Sequence, residues 1–213
     1  MPLKEACVES LQEALAAERQ GADRLELCSR LEVGGLTPGV ELAQEVLNAV
    51  SIPVMLMIRC REGDFCYSPV EVDEMLRQIA TFKALNSPQL AGFVTGALTE
   101  VGTVDVPTLS RLAGAAQPYP ITFHKAIDEC PDPLAAIQVL KTLPGITRVL
   151  SSGGASTAQE GAEMLMSMIA AAGDDLTIIA AGKVTHENLA ALHRSIGASE
   201  YHGRLIVGNL KPL

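Results

Sequence analysis

At 213 residues the chain has the length of one domain, somewhat short of the roughly 250 residues usual for an eight-unit β/α barrel. Hydrophobic residues make up 48% and charged residues 19%, which supports a sizeable core and excludes a disordered chain; with Trp absent, Ala, Leu, Val and Ile must fill the interior. The formal net charge of −9 repels phosphate backbones and anionic lipid, so neither nucleic acid nor a membrane is expected as a partner.

The chain opens with Leu3–Val8, an apolar strand. Ser10-Leu11-Gln12-Glu13 follows as a capping box for a helix running through Ala14, Leu15 and Ala17 to a stop at Gly21. Arg24–Cys28 is the second strand, and Thr37-Pro38 opens the next helix with Pro in the tolerated first position. Pro53–Ile58 is a third strand. Ser68-Pro69-Val70-Glu71 combines a capping box with a helix-starting Pro, and Val72, Met75, Ile79 and Phe82 then share one helical face.

Gly92–Thr95, Ile121–His124, Arg148–Ser151 and Thr177–Ala180 supply strands four to seven, and Glu200–Ile206 an eighth. Helices are expected near residues 105–116, 132–143, 156–172 and 185–196, with good starts at Asp132-Pro133 and Ser156-Thr157-Ala158-Gln159. Strict β/α alternation means a parallel sheet, because parallel strands need crossover connections. Eight strands without a linker or composition break favour a closed (β/α)8 barrel of the TIM type, as one domain over residues 1–213, above an open doubly wound sheet. Little of the chain follows the eighth strand, and Lys211-Pro212-Leu213 makes no covering helix. The barrel is therefore expected to lack its last helix, or to have that flank covered by another subunit.

No apolar run reaches the roughly 18 residues of a membrane span. Met1-Pro2-Leu3-Lys4-Glu5 has no signal-type stretch, and five Cys without tandem spacing read as reduced thiols. The expectation is a cytoplasmic protein.

Inward-facing residues alternate along barrel strands, and those at strand C-terminal ends reach the mouth. Glu5 and Cys7 share parity on strand one, as do Glu26 and Cys28 on strand two. Met55, Met57 and Arg59 share it on strand three, Thr122 and His124 on strand five, and Glu200 and His202 on strand eight. Two chemistries fit this set. Two thiols near thioethers are soft ligands that favour Cu(I). Alternatively, Glu5, Glu26, Arg59 and His124 form an acid–base and anion-binding set for a small anionic metabolite. Charged groups in apolar strands must be paired, and Arg59 is the expected partner of Glu5 and Glu26. Gly-rich turns at Ser151-Ser152-Gly153-Gly154 and Ala180-Ala181-Gly182-Lys183 are weak candidates for anion binding, since tight turns use Gly for geometry alone. Cys60, Cys66 and Cys130 read as incidental loop residues.

Several segments carry a family resemblance. Gly21-Ala22-Asp23-Arg24-Leu25-Glu26-Leu27-Cys28, Gly34-Gly35-Leu36-Thr37-Pro38, Ile52-Pro53-Val54-Met55 and Gly63-Asp64-Phe65-Cys66-Tyr67-Ser68 resemble the CutC copper homeostasis family. So do Gly96-Ala97-Leu98-Thr99, Thr122-Phe123-His124-Lys125-Ala126 and Arg148-Val149-Leu150-Ser151-Ser152-Gly153-Gly154, in a collinear series from about residue 5 to 203. The resemblance implies a TIM-type barrel, a cytoplasmic protein connected with copper handling, and a homodimer or higher homo-oligomer. It also implies Cys7 and Cys28 as Cu(I) ligands. Arg59-Cys60-Arg61-Glu62-Gly63-Asp64-Phe65 departs from the family's Arg-Pro-Arg-Gly-Gly-Asp-Phe, His124-Lys125-Ala126-Ile127-Asp128 from His-Arg-Ala-Phe-Asp, and the glycine run after strand seven is reduced. After Tyr201-His202-Gly203 the family's last segment is missing. Three readings stay open: a Cu(I)-binding protein, an enzyme acting on a small anionic metabolite, and a scaffold or interaction subunit.

Overall fold

The computed structural model describes residues 1–210. Lys211-Pro212-Leu213 lie outside the described residues. Parallel strands β1 (Leu3–Val8), β2 (Arg24–Leu27), β3 (Val54–Met57), β4 (Leu90–Thr95), β5 (Ile121–Phe123), β6 (Ile146–Ser151), β7 (Thr177–Ala180) and β8 (Glu200–Gly203) pair in sequence order. β8 then pairs with β1 to close the barrel. The expected TIM-type architecture is what forms.

The helices between the strands are α1 (Leu11–Arg19), α2 (Val40–Ala49), α3 (Pro69–Ala84), α4 (Val106–Ala116), α5 (Pro133–Lys141), α6 (Ala162–Ala172) and α7 (Leu189–Ile196). Their starts show which local signals suffice. Ser68 forms the full capping box, accepting from Glu71 N while Glu71 Oε2 accepts from Ser68 N at 2.7 Å. Asp132 caps α5 ahead of Pro133, as its sequence predicts. At α1 only half of the box forms. Ser10 accepts from Glu13 N, but Glu13 turns its carboxylate to Glu9 N and to Arg204, which offers a charge-assisted bond that Ser10 N does not.

Two starts are displaced from the sequence expectation. Thr37 Oγ1 is held in the loop by Arg59 N and Gln78, so α2 begins at Val40 and not at Pro38. Residues 156–161 form turns, with Ala158 N donating to the Gly182 carbonyl at 2.8 Å, and α6 begins at Ala162. Strand β8 ends at Gly203, short of Ile206, because the chain there turns back beside Thr185. Among the described residues no helix follows β8. Instead Gln20 Nε2 donates to Asn209 O at 3.0 Å, and Ile206 and Leu210 are buried at the flank where a last helix would lie.

The strands separate two interiors. Outward residues such as Val8, Leu25, Leu27, Leu56 and Phe93 pack under the helices as the main core. Inward residues fill the barrel itself, and there the packing divides. Cys7, Cys28, Met55, Met57 and Val94 form one apolar cluster, and Leu150, Ile179 and Ala181 a smaller one. Between them the inward face carries a charged set, Glu5, Arg24, Glu26, Arg148 and Glu200.

Candidate functional site

Strand register determines which side chains meet inside the barrel. Glu5 has Arg24 as its β2 partner and His202 as its β8 partner. Cys7 is level with Glu26, and Glu26 with Met55. Because side chains alternate faces along a strand, this alignment sends Glu5, Cys7, Arg24, Glu26, Glu200 and His202 to the barrel axis together.

These groups form a connected chain of charges. Arg24 donates through Nε to Glu5 Oε2 and through Nη2 to Glu200 Oε2, and Arg148 Nε reaches Glu200 Oε1 at 3.4 Å. His202 places Nδ1 2.9 Å from Glu5 Oε1 and Nε2 3.4 Å from Glu26 Oε2. Glu5, Arg24 and Glu26 are almost wholly buried, so each depends on these partners to offset lost hydration.

This corrects the expected pairing with Arg59. Arg59 lies beyond the last residue of β3, level with the loops and not with the buried carboxylates. Its guanidinium donates to the carbonyls of Val33, Gly35 and Gly63 at 3.0, 3.3 and 2.8 Å and rests over the Phe65 ring. Arg24 takes the predicted role for Glu5, and His202 faces Glu26. The parity of Arg24 with Glu26 on the same strand was the available signal.

The two thiols stand with their Sγ atoms 4.0 Å apart, too far for a disulfide of about 2.05 Å and within sulfur hydrogen-bond reach. Gly35 backs Cys28 closely. Its φ of +88° suits Gly, and a Cβ there would lie 3.1 Å from Cys28 Sγ.

The hydrogen bond with Cys28, helped by His202 and Glu26 against the opposing effect of burial, holds the Cys7 thiol down at about 5. The same bond, with burial, pushes Cys28 well above an ordinary thiol. Burial would raise Glu5, but hydrogen bonding to His202 and the charge of Arg24 outweigh it and leave the carboxyl at about 2. Burial and the neighbouring Cys7 charge raise Glu26. Burial disfavours the charged imidazole of His202, and the negative groups Glu26, Cys7 and Glu5 more than reverse that. These shifts favour a thiolate at Cys7 beside a charged His202, a pairing typical of reactive cysteines.

Above this centre opens a cavity of about 930 Å³ lined by Cys7, Glu26, Cys28, Arg59, His124 and His202, among others. Glu5 sits below it, behind His202. His124 comes from the end of β5. Its Nδ1 accepts from Ala126 N at 3.2 Å, and its buried Nε2 has no hydrogen-bond partner among the described residues. Gly96 leaves it room, since a Cβ there would lie 2.6 Å from His124 Nδ1. Burial, and then the nearby Arg59 charge, drive His124 down to about 3, so the ring is neutral near pH 7.

The turn at Ser151–Gly154 is already filled. Asp128 accepts from Ser152 N at 3.0 Å, from Gly154 N at 3.0 Å and from both serine hydroxyls. The backbone N–H groups considered for an external anion thus serve an internal carboxylate. Cys60 and Cys66 lie partly exposed in the loop after β3, and Cys130 is buried with its thiol 3.8 Å from Ala126 O. His202 and Arg24 are the residues that reading strand ends alone undervalued.

The model of the CutC family matches residues 2–207. The chain is 42% identical over 200 residues to the human protein named copper homeostasis protein cutC homolog, covering 94% of this chain and 72% of that protein. A family protein CutC of Photobacterium profundum is 39% identical over 198 residues, with 93% and 79% covered. A crystal structure of a CutC protein from Streptococcus agalactiae superposes with a TM-score of 0.90 at 31% identity, covering 97% of this chain and 100% of that one. The sialic acid aldolase of Ruminococcus gnavus, at a TM-score of 0.67 and 10% identity over 95% of this chain and 68% of its own, shares the fold alone. On the strength of the match across nearly its whole length, the chain belongs to the CutC family.

Proposed function

We propose that this chain is a cytoplasmic copper homeostasis protein that takes Cu(I) as cargo between the thiolates of Cys7 and Cys28. The observation that carries the reading is the 4.0 Å separation of the two Sγ atoms. Metal–thiolate bonds of about 2.3 Å span up to roughly 4.6 Å in a linear arrangement, so small side-chain rotations bring both sulfurs to one ion. Met55 and Met57 complete a soft, polarizable wall around the pair. The lowered Cys7 thiol favours the thiolate, and so eases the loss of the proton that Cu(I) displaces. The names of the relatives support the same role, and the free state of all five cysteines supports a reducing compartment. No helix among the described residues is long and apolar enough to cross a membrane.

Anaerobic titration with Cu(I) against a competing chelator tests this. Wild type is expected to bind one ion tightly, and Cys7→Ser combined with Cys28→Ser to abolish that binding. Equal binding by both proteins overturns the reading.

A second reading, an enzyme acting on a small anionic metabolite, draws on the mouth cavity. His124 Nε2 has no hydrogen-bond partner there among the described residues, Lys125 and Lys183 add positive charge to the wall, and Arg59 lines the same cavity. A neutral His124 that accepts at Nδ1 carries its proton on Nε2, suited to donating to a carbonyl or anionic oxygen. Glu26 and Glu5 would complement it from below. Thermal shifts with a metabolite library that vanish in His124→Ala and Arg59→Ala support this reading, and a flat screen counts against it.

A further inference from the structure

We infer that Cys7 Sγ, His202 Nε2 and the Glu26 carboxylate form a tripod for a divalent cation of the zinc class, with an open coordination position facing the mouth cavity. The inference does not rest on the Cu(I) reading. It uses a different ligand set, sharing only Cys7 with it.

Four observations lead here. First, the three donor atoms lie within 4.8 Å of one another, on the adjacent strands β8, β1 and β2. Tetrahedral bonds of about 2.0–2.3 Å place donors roughly 3.3–3.8 Å apart. His202 Nε2 and Glu26 Oε2 already stand 3.4 Å apart and no donor pair exceeds 4.8 Å, so small side-chain movements complete the set.

Second, the outer contacts are those a metal-bound histidine requires. The Nδ1 of His202 faces Glu5 at 2.9 Å, which fixes the ring with Nε2 aimed toward Cys7 and Glu26. Glu5 is itself held by Arg24, and Arg24 by Glu200. A Cu(I) ion between two thiolates needs none of this apparatus.

Third, Glu26 Oε1 is buried without a hydrogen-bond partner among the described residues, although Glu26 is only 2% exposed. A buried carboxyl oxygen without a partner is costly, and a cation at the tripod would satisfy it. Fourth, one thiolate, one imidazole and one carboxylate make a mixed donor set. Three such protein ligands with a vacant fourth position are the pattern of zinc sites that act on a bound water or substrate. All three residues line the cavity, so the fourth position is reachable from the mouth. Cu(I), being softer, prefers the two sulfurs.

The test is an anaerobic Co(II) titration of the reduced full-length chain, read by visible ligand-field bands and the near-ultraviolet thiolate-to-cobalt charge transfer. One Co(II) per chain is expected, with the intense bands of a four-coordinate site, displaced by Zn(II). Glu26→Gln and His202→Ala should each weaken binding at least tenfold, and Cys7→Ser should remove the charge-transfer band. Cys28→Ser should leave Co(II) binding intact while losing tight Cu(I) binding. Far-ultraviolet circular dichroism checks each variant, and if His202→Ala fails to fold, the nearly isosteric Glu26→Gln decides the matter. Absence of Co(II) binding by wild type, a spectrum lacking the thiolate band, or unchanged affinity in Glu26→Gln overturns the proposal. Equal loss of both metals in Cys28→Ser also overturns it, because the ions would then share one site. Retained Co(II) binding with no tight Cu(I) binding by wild type sinks only the copper reading.

Discussion

Glu5 and His202 are separated by 197 positions in sequence and by 2.9 Å in space, a carboxylate against an imidazole at the seam where β1 closes onto β8. The pair couples closure of the barrel to the orientation of the ring at its centre. Removing one partner of a buried ion pair leaves the other charge stranded, at a cost of about 3–5 kcal/mol. Glu5→Gln and Arg24→Met are each expected to destabilise the fold by about that amount. Urea denaturation followed by circular dichroism checks it, and a loss below about 1 kcal/mol in both contradicts the role given to the charged chain.

His124 gives the fold a pH dependence with a defined sign. Its folded value is about 3, below the value of about 6.5 expected when the chain unfolds. The unfolded state therefore gains a proton as pH falls through about 6.5, while the folded state stays neutral down to about 3. Stability attributable to this residue is complete above about pH 6.5 and is lost progressively toward about pH 3. His124→Gln should flatten the change in urea midpoint between about pH 7 and about pH 5. An unchanged slope in the variant contradicts the assignment.

The two mouth thiols should differ in reactivity. Cys7, held at about 5, is ionised across the neutral range, whereas Cys28 is raised well above an ordinary thiol. Alkylation by a small neutral reagent, located by peptide mass spectrometry, should modify Cys7 before Cys28. Its rate should be nearly flat between about pH 6.5 and about pH 8, where an unperturbed thiol accelerates more than tenfold. A tenfold rise for Cys7 across that range rules out the thiolate.

Asp128 organises the turn after β6 by accepting from two backbone N–H groups and two hydroxyls. Hydrogen bonds to a charged group contribute about 1.5–3 kcal/mol each, not additively. Asp128→Ala should therefore cost at least about 2 kcal/mol and raise hydrogen exchange at Ser152 and Gly154. Unchanged protection of those N–H groups would show that the turn holds without it.

The helix starts separate local from tertiary control. Ser68→Ala removes a complete capping box and should cost about 1 kcal/mol. Ser10→Ala removes one hydrogen bond, while Glu13 keeps its bonds to Glu9 N and Arg204, so the loss should be smaller. Thermal melts of the two variants test the ranking.

Much of this molecule was legible in the amino-acid sequence. Short apolar runs and capping residues act over a few positions, so the eight strands, the helix starts at Ser68 and Asp132, and the closed parallel barrel follow from local pattern and its repetition. Strand parity likewise delivered Cys7, Cys28, Glu26 and His124 to one mouth, because a period of two fixes which face a side chain takes. What parity does not fix is the height at which neighbouring strands align. Only the closed barrel brought Glu5 level with Arg24 and His202, left Arg59 above them among loop carbonyls, and spent the Ser151–Gly154 turn on Asp128. Those pairings depend on register between strands far apart in sequence, and on competition among donors for the same buried acceptors. Neither is a property of any segment alone.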